Sequence, residues 1–299
     1  MQITRSEKTD HRTLAWLRIL MTPAMTVAHV RALICQFELP EMVFDAGRRA
    51  CVPILGRELS LAMFDSVGEE NARRVLEWRN ATSGADILTI ADSDYPVRLS
   101  QLAFPPLALF LRGRRELLGK ATLAVMGTHA PDVDGVADAH NFGVALAKKQ
   151  VALVCGLMPG IERTMAEASL SVGGEVIAVA ATGPDRIYPA TSCQVFRDVA
   201  ERGLIVSANV PGMGIDAHRV RARDELVVGL SDALFVLEAA DDARTSAYAS
   251  TAAHMGRDVM GVPGSIHSPL YKGSHRLLKQ GAKLVESVPE ILSGWRCSV

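Results

Sequence analysis

The chain has 299 residues, 48% of them hydrophobic and 22% charged, with a net charge of −1 at neutral pH. That length can bury one large or two ordinary cores, and the near-zero charge excludes a global basic field, so any nucleic-acid site must be a local patch on a neutral body. The five cysteines, Cys35, Cys51, Cys155, Cys193 and Cys297, are scattered without a C-x-x-C pair, which excludes a zinc-finger spacing and predicts reduced, buried thiols.

The polar start MQITRSEKTDHRT lacks an apolar signal core, and no uninterrupted run of ~18 apolar residues follows; the expectation is a cytoplasmic protein. From Leu14 to Trp78 apolar residues recur at three- and four-residue spacing, in LAWLRILM, VAHVRALICQF, ELSLAMF and ARRVLEW, which predicts short helices broken at Thr22-Pro23 and Leu39-Pro40. The first turn, MTPAMT from Met21 to Thr26, has no glycine, so a positive φ, and with it a phosphate-binding turn, is not expected there. A linker is expected from Ala81 to Asp94, followed by the lead-in DYPVRLSQLAFPPLALFLRG, Asp94 to Gly113, which reads as a segment clamped onto the edge of a nucleotide-fold sheet.

After Ala121 the pattern changes. Continuous apolar runs recur as LAVMG, VALVCGL, EVIAVAAT, GLIVSANV, DALFVLEA and DVMGVPG, separated by amphipathic stretches such as VADAHNFGVALAKK. Strands buried on both faces and joined by helical crossovers make a parallel sheet, so the predicted fold class is α/β: a Rossmann-like, doubly wound, mostly parallel sheet preceded by a small helical domain. The expected divisions are residues 1–80 helical, 81–120 linker and lead-in, and 121–299 core.

In such a sheet, ligands bind beyond the carboxyl ends of the strands, where helix N-termini and relaxed backbone present N–H groups to anions. Four loops fall there: Gly127-Thr128-His129; Cys155 to Glu162 with Gly156 and Gly160; the helix start from Ile215 to Glu225; and Gly264 with Gly273-Ser274-His275. Gly127, Gly156 and Gly160 serve equally well as phosphate-loop positions or as tight strand-to-helix turns. Arg219, Arg221 and Arg223, and beyond them Lys272, Ser274 and His275, supply cations and donors, or else line solvated helix faces.

In order and spacing, the lead-in, LAVMGTH, VCGLMPGIE, RIYPATS and GVPGSI resemble the DprA/Smf family of DNA-processing proteins over roughly Leu14 to Leu292. The resemblance implies a helix-hairpin-helix or SAM-like first domain. It also implies a homodimer, and a phosphate-holding edge for single-stranded DNA formed by Gly127, Thr128, His129, Gly156, Gly160, Arg219, Arg221, Arg223, Gly264, Lys272, Ser274 and His275. Transfer of the strand to the recombinase RecA, or to a partner protein encoded nearby, would follow in recombination or natural transformation. The chain stops soon after Leu292, so the C-terminal winged helix of many members is expected to be absent.

The chain departs from the family pattern at polar positions. Gly-Ser-Arg reads Gly127-Thr128-His129, Gly-Ile-Asp reads Gly160-Ile161-Glu162, and Arg-Asn-Arg reads Arg223-Asp224-Glu225. Gly-x-Asn reads Gly273-Ser274-His275, and Ser-Glu reads Ser207-Ala208. The segment after Glu238, usually rich in Ser and Gly, places Asp241 and Asp242 before the neutral donors Thr245, Ser246 and Ser250. These departures suggest a relative that kept the fold and altered the ligand.

No catalytic residue, cofactor or metal ligand is expected. G-x-S-x-G, H-E-x-x-H, Walker A and G-x-G-x-x-G are all missing from the sequence. None of Pro159-Gly160, Pro211-Gly212 and Pro263-Gly264 continues into the Gly-x-Gly-Thr of related phosphoribohydrolases, although Glu162, Glu167 and Glu238 would be carboxylates for such chemistry. DNA handling is the leading reading. A repurposed regulatory or defence protein, such as the neutralising partner of a toxin, and a nucleotide-processing enzyme are the alternatives.

Overall fold

The helical spacing of the N-terminal region forms α1 (Arg5–Leu20), α2 (Val27–Phe37), α3 (Pro40–Asp45), α4 (Arg48–Met63) and α5 (Ser66–Ala81) in a computed structural model that describes residues 5–294. Local chemistry sets the breaks. The Thr26 side chain accepts from the His29 amide at the start of α2, Pro40 opens α3 at a position where its missing N–H costs nothing, and Gly56 at φ 77° kinks α4. Leu17, Ile19, Leu33, Val43 and Met63 are buried between these helices, and Arg79–Asp10 (2.5 Å), Arg12–Glu41 (3.1 Å) and Arg18–Glu69 (3.1 Å) pair around them.

The glycine-free turn corrects an expectation. Ala24 adopts φ 63°, with Met25 N donating to Thr22 O (3.1 Å) and Thr22 Oγ1 to Arg18 O (2.7 Å); these bonds hold a backbone conformation that costs an L-residue about 1–2 kcal/mol. The expected linker also contains structure, because β1 (Ala85–Thr89) forms there. Residues up to Tyr95, with Pro105–Leu109, make one compact unit, and Pro96–Phe104 with the chain from Phe110 onward makes the other. Within the first, Ile90 N donates to Leu107 O (3.0 Å) and Tyr95 OH to Pro106 O (2.6 Å).

The second unit is the doubly wound α/β fold that the recurrent apolar runs predict. Its strands are β2 (Ala108–Gly113, shared with the first unit), β3 (Thr122–Gly127), β4 (Ala152–Cys155), β5 (Val176–Ala180), β6 (Leu204–Ser207), β7 (Ala233–Leu237), β8 (Asp258–Gly261) and β9 (Lys283–Leu284). They lie in the order β2-β6-β5-β4-β3-β7-β8-β9. From β3 onward every pairing is parallel, and β2 runs antiparallel to β6 at the edge. The crossovers are α6 (Val133–Lys148), α7 (Ile161–Ser171), α8 (Cys193–Arg202), α9 (Ala217–Gly229), α10 (Ala243–His254) and α11 (Lys272–Lys279), and α12 (Val288–Gly294) closes the described chain.

Every residue of β3 to β7 is buried, which is why those strands read as unbroken apolar runs. From β3 the chain winds outward through β4, β5 and β6, then crosses through α9 to β7 on the other side of β3. The topological switch point therefore lies between β3 and β7.

The β2 end of the lead-in joins the sheet edge at β6, as the segment's pattern leads one to expect, and Arg98 of the same lead-in also grips the amino end of the central strand. Its guanidinium meets Thr122 Oγ1 (2.5 Å), Asp232 Oδ1 (3.0 Å) and Leu230 O (3.1 Å), with Leu118 O and Lys120 O on the other nitrogen. Cys51 and Cys155 are buried free thiols as expected, but Cys35 is exposed and Cys193 half-buried; Cys297 lies outside the described residues. Among the described residues no helix is long and apolar enough to cross a membrane.

Candidate nucleic-acid interface

Parallel strands put their carboxyl ends, and the loops that follow, on one edge. Gly127 ends β3 in register with Leu237 of β7. Beyond it Thr128 N donates to Glu238 O (2.8 Å) and Thr128 O accepts from Ile161 N (3.2 Å), so the β3 loop is held between the end of β7 and the start of α7. Gly160, at φ 84°, precedes α7, and a β-carbon there would run into Thr128 O and the His129 backbone; only glycine meets both demands. Gly127, Thr128, His129, Gly156 and Gly160 are thus brought together.

The charged groups beneath these loops pair with one another. Glu162, buried in the first turn of α7, accepts on Oε2 from Gly156 N (2.9 Å) and Met158 N (3.4 Å), while Oε1 pairs with Arg244 of α10. Arg244 also faces Asp224 Oδ2 (3.5 Å), Tyr248 OH (3.4 Å), Gly127 O (3.4 Å) and His129 Nε2 (3.1 Å). Tyr248 OH donates to Asp224 Oδ1 (2.9 Å), which also accepts from Arg223 Nε (2.7 Å), and Arg223 Nη1 reaches Gly156 O (3.3 Å). Two carboxylates and two guanidiniums cancel in a region of low dielectric, where each would be costly alone.

The electrostatics follow from that pairing. Burial opposes the Glu162 charge, but Arg244 and Arg223 beside it hold its carboxyl below the usual value. Burial likewise opposes the Arg244 charge, and Glu162, Tyr248 and Asp224 more than offset it. Burial and then the Glu162 charge push the Cys155 thiol up to about 12, so this cysteine is inert. His129 is exposed at the rim; partial desolvation and the Arg244 charge lower its pKa.

Arg223, which sequence reading aims at a DNA backbone, is only 4% exposed and belongs to this network. Arg219 is half-buried, bound to Asp216 (2.7 Å) and Gly214 O (3.0 Å), whereas Arg221 is exposed without an ion pair among the described residues. On the β8 side, Gly264 lies under the Tyr271 ring and near His275, whose Nε2 is 3.0 Å from Gly264 O. Lys272 is exposed and donates to Ile266 O (2.6 Å). Ser274 is buried, and its Oγ accepts from Ala239 N (3.1 Å); it secures the end of β7 and does not face solvent. Arg244, Asp224 and Tyr248 are the members that sequence reading missed. The available signal was the Asn-to-Asp change at 224, together with a lone cation in a segment the family fills with Ser and Gly.

A second buried carboxylate sits across the switch point. Glu238 ends β7 at φ 51°, its Oε1 accepting from Asp132 N (2.9 Å) before α6 and its Oε2 without a hydrogen-bond partner among the described residues. Burial, followed by the charges of Asp132 and Asp138, pushes this carboxyl above the usual value.

A doubly wound sheet with glycine loops and buried charges gathered at its switch point defines a Rossmann-type protein, a fold class whose ligands meet the sheet at that edge. The sequence model of the family described as DNA recombination-mediator protein A matches residues 86–296. The chain is 32% identical to the DNA processing protein DprA of Streptococcus pneumoniae over 69% of its own length and 72% of that protein's. It is 28% identical to Protein Smf of Synechocystis over 93% and 71%. The X-ray structure of the pneumococcal DprA superimposes with a TM-score of 0.78 at 25% identity, covering 99% of each chain. A Helicobacter pylori DprA structure, described for its single-stranded DNA binding mode, has the same fold, with a TM-score of 0.63 at 23% identity over 70% of this chain and 94% of that one. The chain belongs to the DNA recombination-mediator protein A family, also called DprA/Smf, a family of DNA-binding mediators and not of enzymes.

Proposed function

We propose that this chain binds single-stranded DNA along the carboxyl edge of its sheet and hands the strand to a RecA-type recombinase, in recombination or natural transformation, as a cytoplasmic homodimer. The observation that carries the reading is the gathering of the Gly127–His129 and Gly156–Gly160 loops on one edge with the exposed cations Arg186, Arg221 and Lys272, each on a segment that follows a strand end. The single-stranded DNA binding named for the H. pylori relative supports it. Gly264 and His275 border the same edge, and Arg219, two residues before Arg221 and on the opposite side of α9, is tied to Asp216. Arg223 and Ser274 act by holding this edge in shape.

A salt titration with a fluorescent oligothymidine tests the proposal. The parent should bind at ~50 mM salt, and Arg221→Ala should weaken binding to all sequences alike, reducing the slope of log K against log salt by about 0.7. Absence of parent binding would sink the reading. It would favour a repurposed regulatory or defence role, to which the self-neutralised Glu162–Arg244–Asp224–Arg223 cluster lends support.

A further inference from the structure

Arg244 turns two of its nitrogens inward. Nε faces Asp224 Oδ2 and Nη2 faces Glu162 Oε1 and Tyr248 OH, whereas Nη1 points at the β3 loop, meeting Gly127 O at 3.4 Å and His129 Nε2 at 3.1 Å. The Arg244 side chain is 19% exposed, against 3% for that of Arg223. An arginine only donates, so the His129 contact exists when Nε2 is the acceptor and the ring is neutral. Protonation of Nε2 turns the contact into two donors and two like charges at hydrogen-bond distance. An anion placed between them accepts from both.

We propose that Arg244 Nη1 and protonated His129 together grip one backbone phosphate, so that binding at this edge takes up a proton. The inference rests on the single-stranded DNA reading above and names the residues that execute it. Only the His129 arm lies in a loop that local pattern marks for an anion: it follows β3, whereas Arg244 comes from α10 beyond β7, on the other side of the switch point.

The groups around the imidazole fix the direction of the pH effect. Arg244 on α10 and Arg223 on α9 oppose protonation, Glu162 on α7 and Asp224 on α9 favour it, and partial burial leaves the free protein's His129 below 6.5. A phosphate dianion or diester beside the ring adds negative charge and raises its pKa in the complex. Affinity therefore climbs as pH falls through the interval between the bound-state and free-state values, and levels off below it.

The experiment is a fluorescent oligothymidine titration of the parent, His129→Gln and His129→Arg at pH ~5.5 and pH ~8, since one linked proton gives up to about tenfold per pH unit. His129 is exposed, so both variants fold. The parent is expected to bind about tenfold tighter at the lower pH. His129→Gln should be weak and flat, with its salt slope at low pH reduced by about 0.7, and His129→Arg should be tight and flat. Calorimetry in two buffers of different ionisation enthalpy should register proton uptake by the parent alone. A parent that binds with the same pH dependence as His129→Gln overturns the clamp and leaves DNA binding standing. A parent that binds at neither pH overturns the DNA reading and the clamp with it.

Discussion

Two carboxylates, Glu162 at the start of α7 and Glu238 just after β7, sit along the carboxyl edge of the sheet, 1% and 0% exposed, and the fold treats them in opposite ways. Glu162 receives two backbone N–H groups and the Arg244 guanidinium, and its pKa falls. Glu238 receives one N–H, from Asp132, has Asp132 and Asp138 as its charged neighbours, and its pKa rises. Burial alone opposes the charge of both. The difference lies in what each sheet edge offers: α9 and α10 bring arginines to one flank, and α6 brings aspartates to the other. One flank is therefore a neutralised clasp of paired charges, and the other gathers carboxylates without a cation between them among the described residues.

The pair predicts opposite pH profiles. Glu162, with a lowered pKa, contributes stability that is present above the ordinary carboxylate value of 4.5 and is lost as pH falls through its folded value. Glu238, with a raised pKa, contributes stability present at acid pH and lost as pH rises through its folded value above 4.5. Glu162→Gln should have the largest effect. It strands Arg244 and Arg223 with Asp224 as their one remaining buried anion, at a cost of about 3–5 kcal/mol at neutral pH, read by urea unfolding. A loss under ~1 kcal/mol would place that pair among screened surface bridges and end the comparison.

The next effect is steric. A β-carbon at Gly135, in the first turn of α6, would overlap Glu238 Oε2, so Gly135→Ala should cost about 1–3 kcal/mol through overpacking. Truncating the carboxylate removes the obstacle, and Gly135→Ala should cost much less in a Glu238→Ala background. Equal costs in the two backgrounds would mean that Glu238 does not occupy the start of α6. Glu238→Gln, by contrast, removes a buried charge while keeping the shape, and should stabilise the protein by about 1 kcal/mol at pH ~8 and by nothing near pH ~4.

The sheet was legible in the sequence because burial on both faces writes itself as unbroken apolar runs, and the strand-end glycines were legible because strand and helix periodicities meet at them. The charge pairing was not. Glu162 and Arg244 are separated by 82 residues, and no local pattern announces a partner at that distance. Beside Asp241 and Asp242, Arg244 reads as part of an acidic surface stretch, yet only Asp242 acts locally, accepting from the Thr245 amide (2.7 Å) to cap α10. Arg223 misleads for a related reason. It lies one turn beyond Arg219 and looks like a continuation of an exposed basic stripe, but α9 buries Arg223, Asp224, Leu226, Val227 and Val228 in succession, so its second turn already runs beneath the strand ends. At Ala24 a composition rule gave way to hydrogen bonds that hold the turn without glycine.

The smallest predicted effect isolates the like-charge term on the acidic flank. Asp138 is half-buried on α6, and its own carboxyl is raised by burial and then by Asp134 and Asp132; its charge in turn helps to raise Glu238. Asp138→Asn removes one member of this set without touching the hydrogen bond from Asp132 N to Glu238. Because Asp138 is partly solvated, the gain should be a few tenths of a kcal/mol at pH ~8, and it should fade in ~1 M salt, where screening shortens the reach of a charge to about 3 Å. It should also fade as pH drops and Glu238 takes up its proton, and vanish in the Glu238→Gln background, where the repelled charge is gone. Thermal melts of the four proteins in this cycle measure the coupling directly. A gain that persists undiminished in Glu238→Gln would assign it to relief among Asp132, Asp134 and Asp138 themselves, leaving desolvation as the main reason that the pKa of Glu238 rises while that of Glu162 falls.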